Sequence, residues 1–130
     1  MKLLVDTHIL LWWFLRSERL SKKIRATLAD AESEVFASAV STWEIAVKAG
    51  LGRLSLPGEP AQYFPDRLRR ANIQELAIST AHTYGVFALP KLHADPFDRL
   101  LIAQAQHEGM TIVTADRTFK QYDVRTLLVS

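Results

Sequence analysis

Two aspartates in this 130-residue chain lie just after apolar runs that are typical of buried strands. Asp6 comes after the run from Leu3 to Val5, and Asp116 comes after Ile112-Val113 with two small residues between them. In open parallel sheets, ligands bind just beyond the carboxyl ends of the strands, so both carboxylates are candidates for a site there. The alternative interpretation of either residue alone is an ordinary turn aspartate, because Asp is common in turns.

A third carboxylate, that of Asp98, stands at the head of an apolar helical stripe. Leu101, Ile102 and Ala105 follow it at spacings of three, four and seven residues, which places all of them on one predicted helix face. A carboxylate that is buried on such a face is unfavourable unless a partner compensates its charge. Helix capping is the alternative, with Asp95 as N-cap residue. Capping explains Asp95 better than it explains Asp98, whose face points inward.

A fourth acid, Glu44, fits a structural role when spacing alone is considered. Ser41 and Glu44 have the spacing of a capping box, in which Glu44 would bond back to the backbone of Ser41. The predicted apolar stripe of this helix is Val40, Trp43 and Val47, and Glu44 flanks it. Spacing therefore favours capping over chemistry for Glu44.

These four carboxylates would form a site only if the fold brought them together. Two unit charges about 4 Å apart repel by roughly 4 kcal/mol at an effective dielectric constant near 20. The repulsion would raise the pKa values of the group and protonate some of its members, and a divalent cation would remove it. The chain has no cysteine, and no two of its histidines pair at metal-ligand spacing. The hard oxygen ligands that remain favour Mg²⁺ or Mn²⁺ over Zn²⁺, in a type of site that handles phosphate.

The elements that must position these residues follow an alternating pattern. Strands that alternate with helices favour a parallel sheet covered on both faces, so we predict a single three-layer α/β domain over residues 1–130. The predicted strands are 2–5, 35–37, 73–77, 110–114 and 125–129. The predicted helices are 7–15, 21–33, 41–50, 61–71, 79–87 and 95–107, with Pro65 starting or interrupting the fourth.

Composition and charge exclude some classes of protein and leave others open. Apolar residues make up 48% and charged residues 23% of the chain, a balance typical of globular domains. Without cysteine, disulfides and thiolate chemistry are excluded. The formal net charge of +2 permits nucleic-acid binding but only weakly favours it. No apolar stretch approaches the length of a membrane span, and the first apolar run ends too early for a signal peptide, so we expect a cytoplasmic protein.

Four segments in order carry a resemblance to a known family. They are Leu3 to His8, Ser41 to Lys48, His93 to Ala105, and Val113 to Asp116, and the third is the most specific. In these segments the chain resembles the PIN domain, in particular the VapC-type toxins of bacterial toxin–antitoxin pairs. The resemblance covers nearly the whole chain. It implies an α/β/α sandwich with a mainly parallel central sheet, and a single nuclease domain over residues 1–130.

The resemblance also implies roles for individual residues. Asp6 and Asp98 match the principal metal ligands, and Asp116 matches a residue that ligates the metal directly or through water. Glu44 matches the acid that holds a metal-bound water or orients the nucleophile, which raises it above its capping interpretation. Asp95 matches a position that is often acidic, and we interpret it first as a helix cap and second as a residue that supports the metal ligands. Thr114 matches a hydroxyl position near the metal.

The hypothesis that follows is an Mg²⁺-dependent endoribonuclease, with Mn²⁺ as a possible substitute. A metal-activated water would attack phosphorus in line and the 3′ oxygen would leave, so the substrate needs no 2′-hydroxyl. By resemblance, its partners are RNA, a cognate antitoxin and a second copy in a homodimer. One alternative is a non-catalytic RNA-binding or interaction module on the same fold. Another is a phosphatase-like enzyme with Asp6 as nucleophile, which usually needs a second acid where this chain has His8.

Other residues give weaker signals. Ordinary structural roles are favoured for the scattered histidines, although His8 and His93 lie near acids in the sequence and could instead support the metal ligands. Core packing is favoured for Trp12, Trp13 and Phe14, although an exposed subset of them could bind an antitoxin helix or a second copy of the chain. Several basic residues lie close to the acids in sequence and are candidates for RNA phosphate contacts. They are Lys48, Arg53, Lys91, Arg99 and Arg117.

Overall fold

The computed structural model describes residues 1–129. It contains five strands, six α-helices and one short 3₁₀-helix over these residues. The strands are β1 (Lys2–Val5), β2 (Glu34–Ser38), β3 (Ile73–Leu76), β4 (Thr111–Thr114) and β5 (Thr126–Leu128). The helices are α1 (Thr7–Phe14), α2 (Lys22–Ala29), α3 (Ala39–Gly50), α4 (Pro60–Arg70), α5 (Thr80–Phe87) and α6 (Pro96–Glu108), and the 3₁₀-helix is Arg117–Gln121.

The five strands form one sheet in the order β3-β2-β1-β4-β5, and every pairing is parallel. The first strand of the chain therefore lies in the middle of the sheet. Val5 is in register with Ala37 of β2 on one side and with Val113 of β4 on the other. Because all strands run the same way, the residues that follow them reach a common edge, which is where Asp6 and Asp116 lie.

Two hydrophobic clusters occupy the two faces of this sheet. Leu3 and Val5 point into a cluster that includes residues of α1, α2, α3 and α4, whereas Leu4 points into a cluster with α6. Alternate residues of β1 are thus fully buried on opposite faces. This arrangement confirms the predicted α/β fold with helices on both sides of a parallel sheet. Trp12, Trp13 and Phe14 pack against the first cluster, as predicted.

The prediction for the start of α3 was wrong. The N-cap residue is Ser38, whose hydroxyl accepts the backbone N–H of Val40 at 2.9 Å, so the helix begins at Ala39. Ser41 is buried inside the helix, and its Oγ accepts the hydroxyl of Thr7 at 3.0 Å. A capping box between Ser41 and Glu44 is therefore absent, and the capping interpretation of Glu44 fails.

The predicted buried face of α3 was also wrong. Trp43 is 53% exposed and Val47 39% exposed, whereas Ser41 and Glu44 are buried. The helix turns two polar side chains inward and two large apolar ones outward, against ordinary amphipathic patterning. Of the predicted stripe, only Val40 is buried.

Several helix boundaries differ from those predicted. The helix α2 ends at Ala29, four residues before the predicted end, because the chain turns there into β2. The helix α4 begins at Pro60 and continues through Pro65, which neither starts nor interrupts it. One face of α4 buries Tyr63, Phe64 and Leu68, and we attribute its continuity to this burial, which offsets the hydrogen bond lost at the proline. Among residues 1–129, no helix has the length and apolar character that crossing a bilayer requires.

Candidate active site

Asp6 is the N-cap residue of α1 and is almost fully buried. Its Oδ1 accepts the backbone N–H of Ile9 at 2.9 Å, and its Oδ2 accepts a short hydrogen bond from the hydroxyl of Thr114. Burial raises the pKa of Asp6 above its ordinary value, although both hydrogen bonds act in the opposite direction. The negative charge of Asp116 contributes to the rise, and both residues contact the hydroxyl of Thr114.

Glu44 contributes a second buried carboxylate from α3, with 2% of its surface exposed. Its Oε2 pairs with the ammonium group of Lys48 one helical turn away. Its Oε1 is buried and has no hydrogen-bond partner among the described residues. Leaving a buried polar atom unpaired is unfavourable by about 1–3 kcal/mol, and more when the group is charged. The free oxygen therefore indicates a ligand position.

Asp98 lies in the first turn of α6, and its pKa is also raised. Its pKa is raised to about 7, first by burial and then by the charge of Asp95, with further contributions from Glu44 and Asp6, whereas His93 lowers it. Asp95 is the N-cap residue and accepts the backbone N–H of Phe97 at 2.8 Å, as its capping interpretation predicted. The residues that follow Asp98 at helical spacing, Leu101, Ile102 and Ala105, are buried as predicted.

Asp116 follows β4 and is the N-cap residue of the 3₁₀-helix. Its Oδ1 accepts the backbone N–H of Thr118 at 2.9 Å, and its Oδ2 lies 3.0 Å from Nε2 of His93. Partial burial acts to raise the pKa of Asp116, but the hydrogen bonds from Thr118 and His93 outweigh it and hold the pKa below its ordinary value. Its side chain is 40% exposed, so it forms the open side of the cluster.

The structure thus places all four predicted acids at the carboxyl edge of the sheet. The charges of Glu44 and Asp6 act on Asp98, and the charge of Asp116 acts on Asp6, so the four form one electrostatic group. Thr114, which the resemblance placed near the metal, contacts Asp6 and also accepts the backbone N–H of Asp116 at 3.0 Å.

His93 also belongs to this cluster, and the ordinary loop role predicted for it was wrong. Its Nε2 lies 3.0 Å from a carboxylate oxygen of Asp98 and 3.0 Å from one of Asp116. Its position near acids in the sequence indicated a supporting role only as the less favoured alternative. Spacing could not show it, because both contacts depend on the tertiary fold.

Two of the basic residues predicted to contact RNA have other partners in the structure. The guanidinium group of Arg99 donates to the backbone carbonyls of Pro90, Val86 and Leu89. These hydrogen bonds hold the loop before α6 in place. Lys48 is paired with Glu44, which raises the pKa of the lysine. The remaining three, Arg53, Lys91 and Arg117, are exposed.

A second group of side chains gathers away from this site. His82, His107 and Glu108 lie close enough to hold a cation by distance alone, contrary to the prediction that no histidines pair. However, Nδ1 of His82 accepts the backbone N–H of Ser79 at 3.0 Å, so its Nε2 carries the hydrogen and donates to Glu108 at 2.7 Å. A metal ligand needs a free lone pair at Nε2, so this arrangement links α5 to α6 and does not suit a metal.

The acidic cluster does fit a divalent cation of the Mg²⁺ type. Its donors are carboxylate oxygens, one of which is buried without a partner, and burial, with a smaller contribution from the neighbouring acids, raises the pKa values of Asp6 and Asp98. A hard cation would satisfy the free oxygen and allow every acid to ionise. Asp6, Asp98 and Asp116 are the candidate ligands, and Glu44 faces the same space.

Fold and site together define a class of three-layer α/β proteins that gather carboxylates at the carboxyl edge of a parallel sheet. Comparison with known families narrows this class. Residues 3–125 match the PIN domain, and the chain belongs to that family. The resemblance inferred from the four sequence segments is thereby confirmed.

Individual relatives place the chain near the VapC proteins. It is 29% identical to Ribonuclease VapC22 of Mycobacterium tuberculosis over 120 residues, which cover 92% of this chain and 90% of that protein. It is 42% identical to Ribonuclease VapC16 of the same organism over 59 residues, which cover 45% of this chain and only 42% of that protein.

Solved structures share the fold at lower identity. VapBC2 from Rickettsia felis, bound to a promoter DNA fragment, superposes with a TM-score of 0.77 at 17% identity, covering 100% of both chains. DNA-bound VapBC from Salmonella typhimurium gives a TM-score of 0.68 at 16% identity, covering 100% of this chain and 99% of that one. At such identities the likeness establishes the fold alone.

Proposed function

We propose that this chain is an Mg²⁺-dependent endoribonuclease and the toxin of a toxin–antitoxin pair, with residues 1–130 acting as one nuclease domain. The observation that carries the proposal is a group of four carboxylates, two of them buried, one with an unpartnered oxygen and one with a pKa raised to about 7. Burying several carboxylates together is unfavourable for the free energy of folding, and acids with perturbed pKa values cluster at functional sites. A site for a cation and a phosphate substrate accounts for this arrangement. The ribonuclease names of the VapC relatives support the choice of RNA as substrate.

Asp6, Asp98 and Asp116 would hold the cation, because each presents a carboxylate at the same edge of the sheet. A divalent cation bound there supplies neutralisation of the scissile phosphate and acidification of a water molecule. Thr114 and the backbone N–H of Ile9 hold Asp6 in place, so that carboxylate is preorganised for a ligand. Asp116, on the open side, would complete the set from the 3₁₀-helix.

Glu44 would orient the attacking water. Its free Oε1 is an acceptor with no other partner among the described residues, and a water molecule that donates to it would be held in one direction. Lys48 fixes the other oxygen and so prevents rotation of the carboxylate. Asp98 titrates near neutral pH without a cation and could hold a proton at its carboxylate. The in-line displacement needs no 2′-hydroxyl, because water supplies the nucleophile.

The partners in this proposal are RNA, a protein antitoxin and a second copy of the chain, in the cytoplasm. Solved relatives include a toxin-antitoxin complex from Klebsiella pneumoniae and the VapBC complexes above, which supports an antitoxin partner. The exposed basic residues Arg53, Lys91 and Arg117 are candidates for contacts with RNA phosphates.

The test is incubation of the purified chain with total RNA, with and without Mg²⁺, followed by mapping of the new ends. We expect cleavage that requires Mg²⁺ or Mn²⁺, stops on chelation and leaves a 3′-hydroxyl. An Asp6→Asn variant purified in the same way controls for contaminating nucleases. Retained RNA binding without metal binding or cleavage would instead indicate a non-catalytic RNA-binding module on this fold.

A further inference from the structure

We propose that His93 is a positioning residue of the acidic site, whose Nε2 holds the carboxylates of Asp98 and Asp116 at one separation because it contacts both. The proposal rests on the proposed function, because the two carboxylates are those that would bind the cation. Nε2 of His93 lies 3.0 Å from Oδ2 of Asp98 and 3.0 Å from Oδ2 of Asp116. Asp98 lies on α6 and Asp116 follows β4, so one imidazole ring joins two separate segments.

The ring of His93 is held firmly enough to act as a spacer. Its backbone N–H donates to the hydroxyl of Tyr122 at 2.8 Å, and its Nδ1 accepts the backbone N–H of Asp95 at 3.2 Å. One edge of the ring packs against Phe119 in a T-shaped contact with centroids 5.8 Å apart. Tyr122 and Phe119 are buried, so the supports of the ring are parts of the core.

The hydrogen-bond pattern assigns the tautomer of the ring. Because Nδ1 accepts a hydrogen bond from Asp95, the hydrogen of the neutral imidazole lies on Nε2. Nε2 therefore donates to Oδ2 of Asp116, faces Oδ2 of Asp98 at the same distance of 3.0 Å, and has no lone pair to offer a metal ion in this orientation. His93 therefore differs from the three acids, since it holds metal ligands in place and is not itself a metal ligand.

The contacts with His93 leave the carboxylates able to bind a cation. A carboxylate oxygen has two lone pairs, so Oδ2 of Asp116, which accepts from His93, keeps a second pair for a ligand, and Oδ2 of Asp98 keeps at least as much. Thr118 holds the other oxygen of Asp116 through its backbone N–H, and together the two donors fix that side chain although it is 40% exposed. Hydrogen-bond partners of metal ligands typically contribute 10- to 100-fold to metal affinity.

The test is calorimetric titration of Mn²⁺ into the wild-type chain and three variants, with folding checked by circular dichroism. We expect His93→Ala to weaken Mn²⁺ binding by about 10-fold or more, because Asp98 and Asp116 lose the side chain that contacts both of them. His93→Gln should recover most of that loss, since its amide N–H can reach the position of Nε2. His107→Ala is the matched control, an exposed histidine on α6 outside the cluster, and should bind Mn²⁺ as the wild type does.

The outcomes separate this proposal from the proposed function. If the wild type binds Mn²⁺ and His93→Ala binds it equally well, the positioning role is overturned and the metal site stands. If the wild type binds no Mn²⁺, both are overturned. Should His93→Ala not fold, nitrogen-15 NMR of the wild-type histidines decides, because a hydrogen on Nε2 of His93 supports the proposal and a bare Nε2 overturns it.

Discussion

The hydroxyl of Thr114 donates a hydrogen bond to the carboxylate of Asp6 across 108 positions of sequence, where β1 and β4 end side by side. The backbone N–H of Asp6 extends the same strand pairing by donating to the carbonyl of Val113 at 3.0 Å. Asp6 is thus both a structural cap and the most deeply buried aspartate of the acidic group. A variant that separates these two roles can test its chemistry without losing the fold.

Asp6→Asn should remove RNA cleavage and keep the fold. The amide oxygen of asparagine can still accept from Ile9, so α1 keeps its cap, but the charge that would bind a cation is gone. We expect a loss of cleavage rate of about 100-fold or more, measured on a fluorogenic RNA. Asp66→Asn, which removes only an exposed ion-pair partner on α4, should cleave normally. Equal rates for Asp6→Asn and the wild type would refute the site.

The raised pKa of Asp98 should make the metal-free protein less stable as the pH increases. The folded state binds this proton up to about pH 7, whereas an unfolded carboxyl releases it near 3.8, so the folded state holds the extra proton between these values. The free energy of unfolding therefore falls as the pH rises through that window. Asp98→Asn has no carboxyl to ionise at this position and so avoids this loss. It should be more stable than the wild type at pH 8 by about 2 kcal/mol.

Urea unfolding in a chelator at pH 4.5 and pH 8 measures this difference. Near pH 4.5 the two proteins should differ little, because the carboxyl of Asp98 is then protonated in the folded state. Saturating Mg²⁺ at pH 8 should reverse the advantage of Asp98→Asn. A constant difference between the two proteins across this pH range would show that Asp98 has an ordinary pKa.

Lys48→Met should destabilise the metal-free protein, because it leaves the buried carboxylate of Glu44 without its cation partner. Breaking a fully buried pair is unfavourable by about 3–5 kcal/mol, and the partial exposure of Lys48 reduces our expectation to about 2 kcal/mol. Mg²⁺ should reduce the difference in unfolding free energy between Lys48→Met and the wild type, because it supplies another positive charge near Glu44. Urea unfolding checks this, with Lys22→Met on the exposed face of α2 as a control that should change little.

Gly109→Ala should lower stability without affecting the site. Gly109 ends α6 in the left-handed region at φ 69°, and no atom lies within 4 Å of where a Cβ would stand. The effect is therefore one of backbone strain, about 1 kcal/mol. Gly58→Ala, in an equally open position without a positive φ, should be neutral or slightly stabilising. Thermal unfolding of the two variants provides the comparison.

Sequence patterns predicted what depends on local periodicity. The alternation of strands and helices gave the α/β fold, and the stripe from Leu101 to Ala105 gave the inward face of α6. The cap at Asp95 was also predictable, because capping involves only neighbouring residues. These features need no knowledge of which distant segments meet.

The same reasoning failed where the site reverses the usual rules of burial. Glu44 is buried on α3 while Trp43 beside it is exposed, which is the opposite of what amphipathic spacing predicts. A helix can hold a carboxylate inward only when a partner compensates its charge. Lys48 lies at the i, i+4 spacing that the sequence shows, but spacing does not reveal that the carboxylate is buried or that its second oxygen stays free for a ligand. His93 was missed for a related reason, since its two contacts lie on α6 and beyond β4.

The central position of β1 has a consequence for how the chain acquires its shape during synthesis. The strand made first needs β4, made more than a hundred residues later, before its second row of backbone hydrogen bonds can close. Such long-range pairing delays folding. A nascent chain that has emerged only as far as α6 would present Asp6 without Thr114 or Asp116 beside it. Assembly of the acidic cluster is therefore postponed until residues 111–116 have been synthesised.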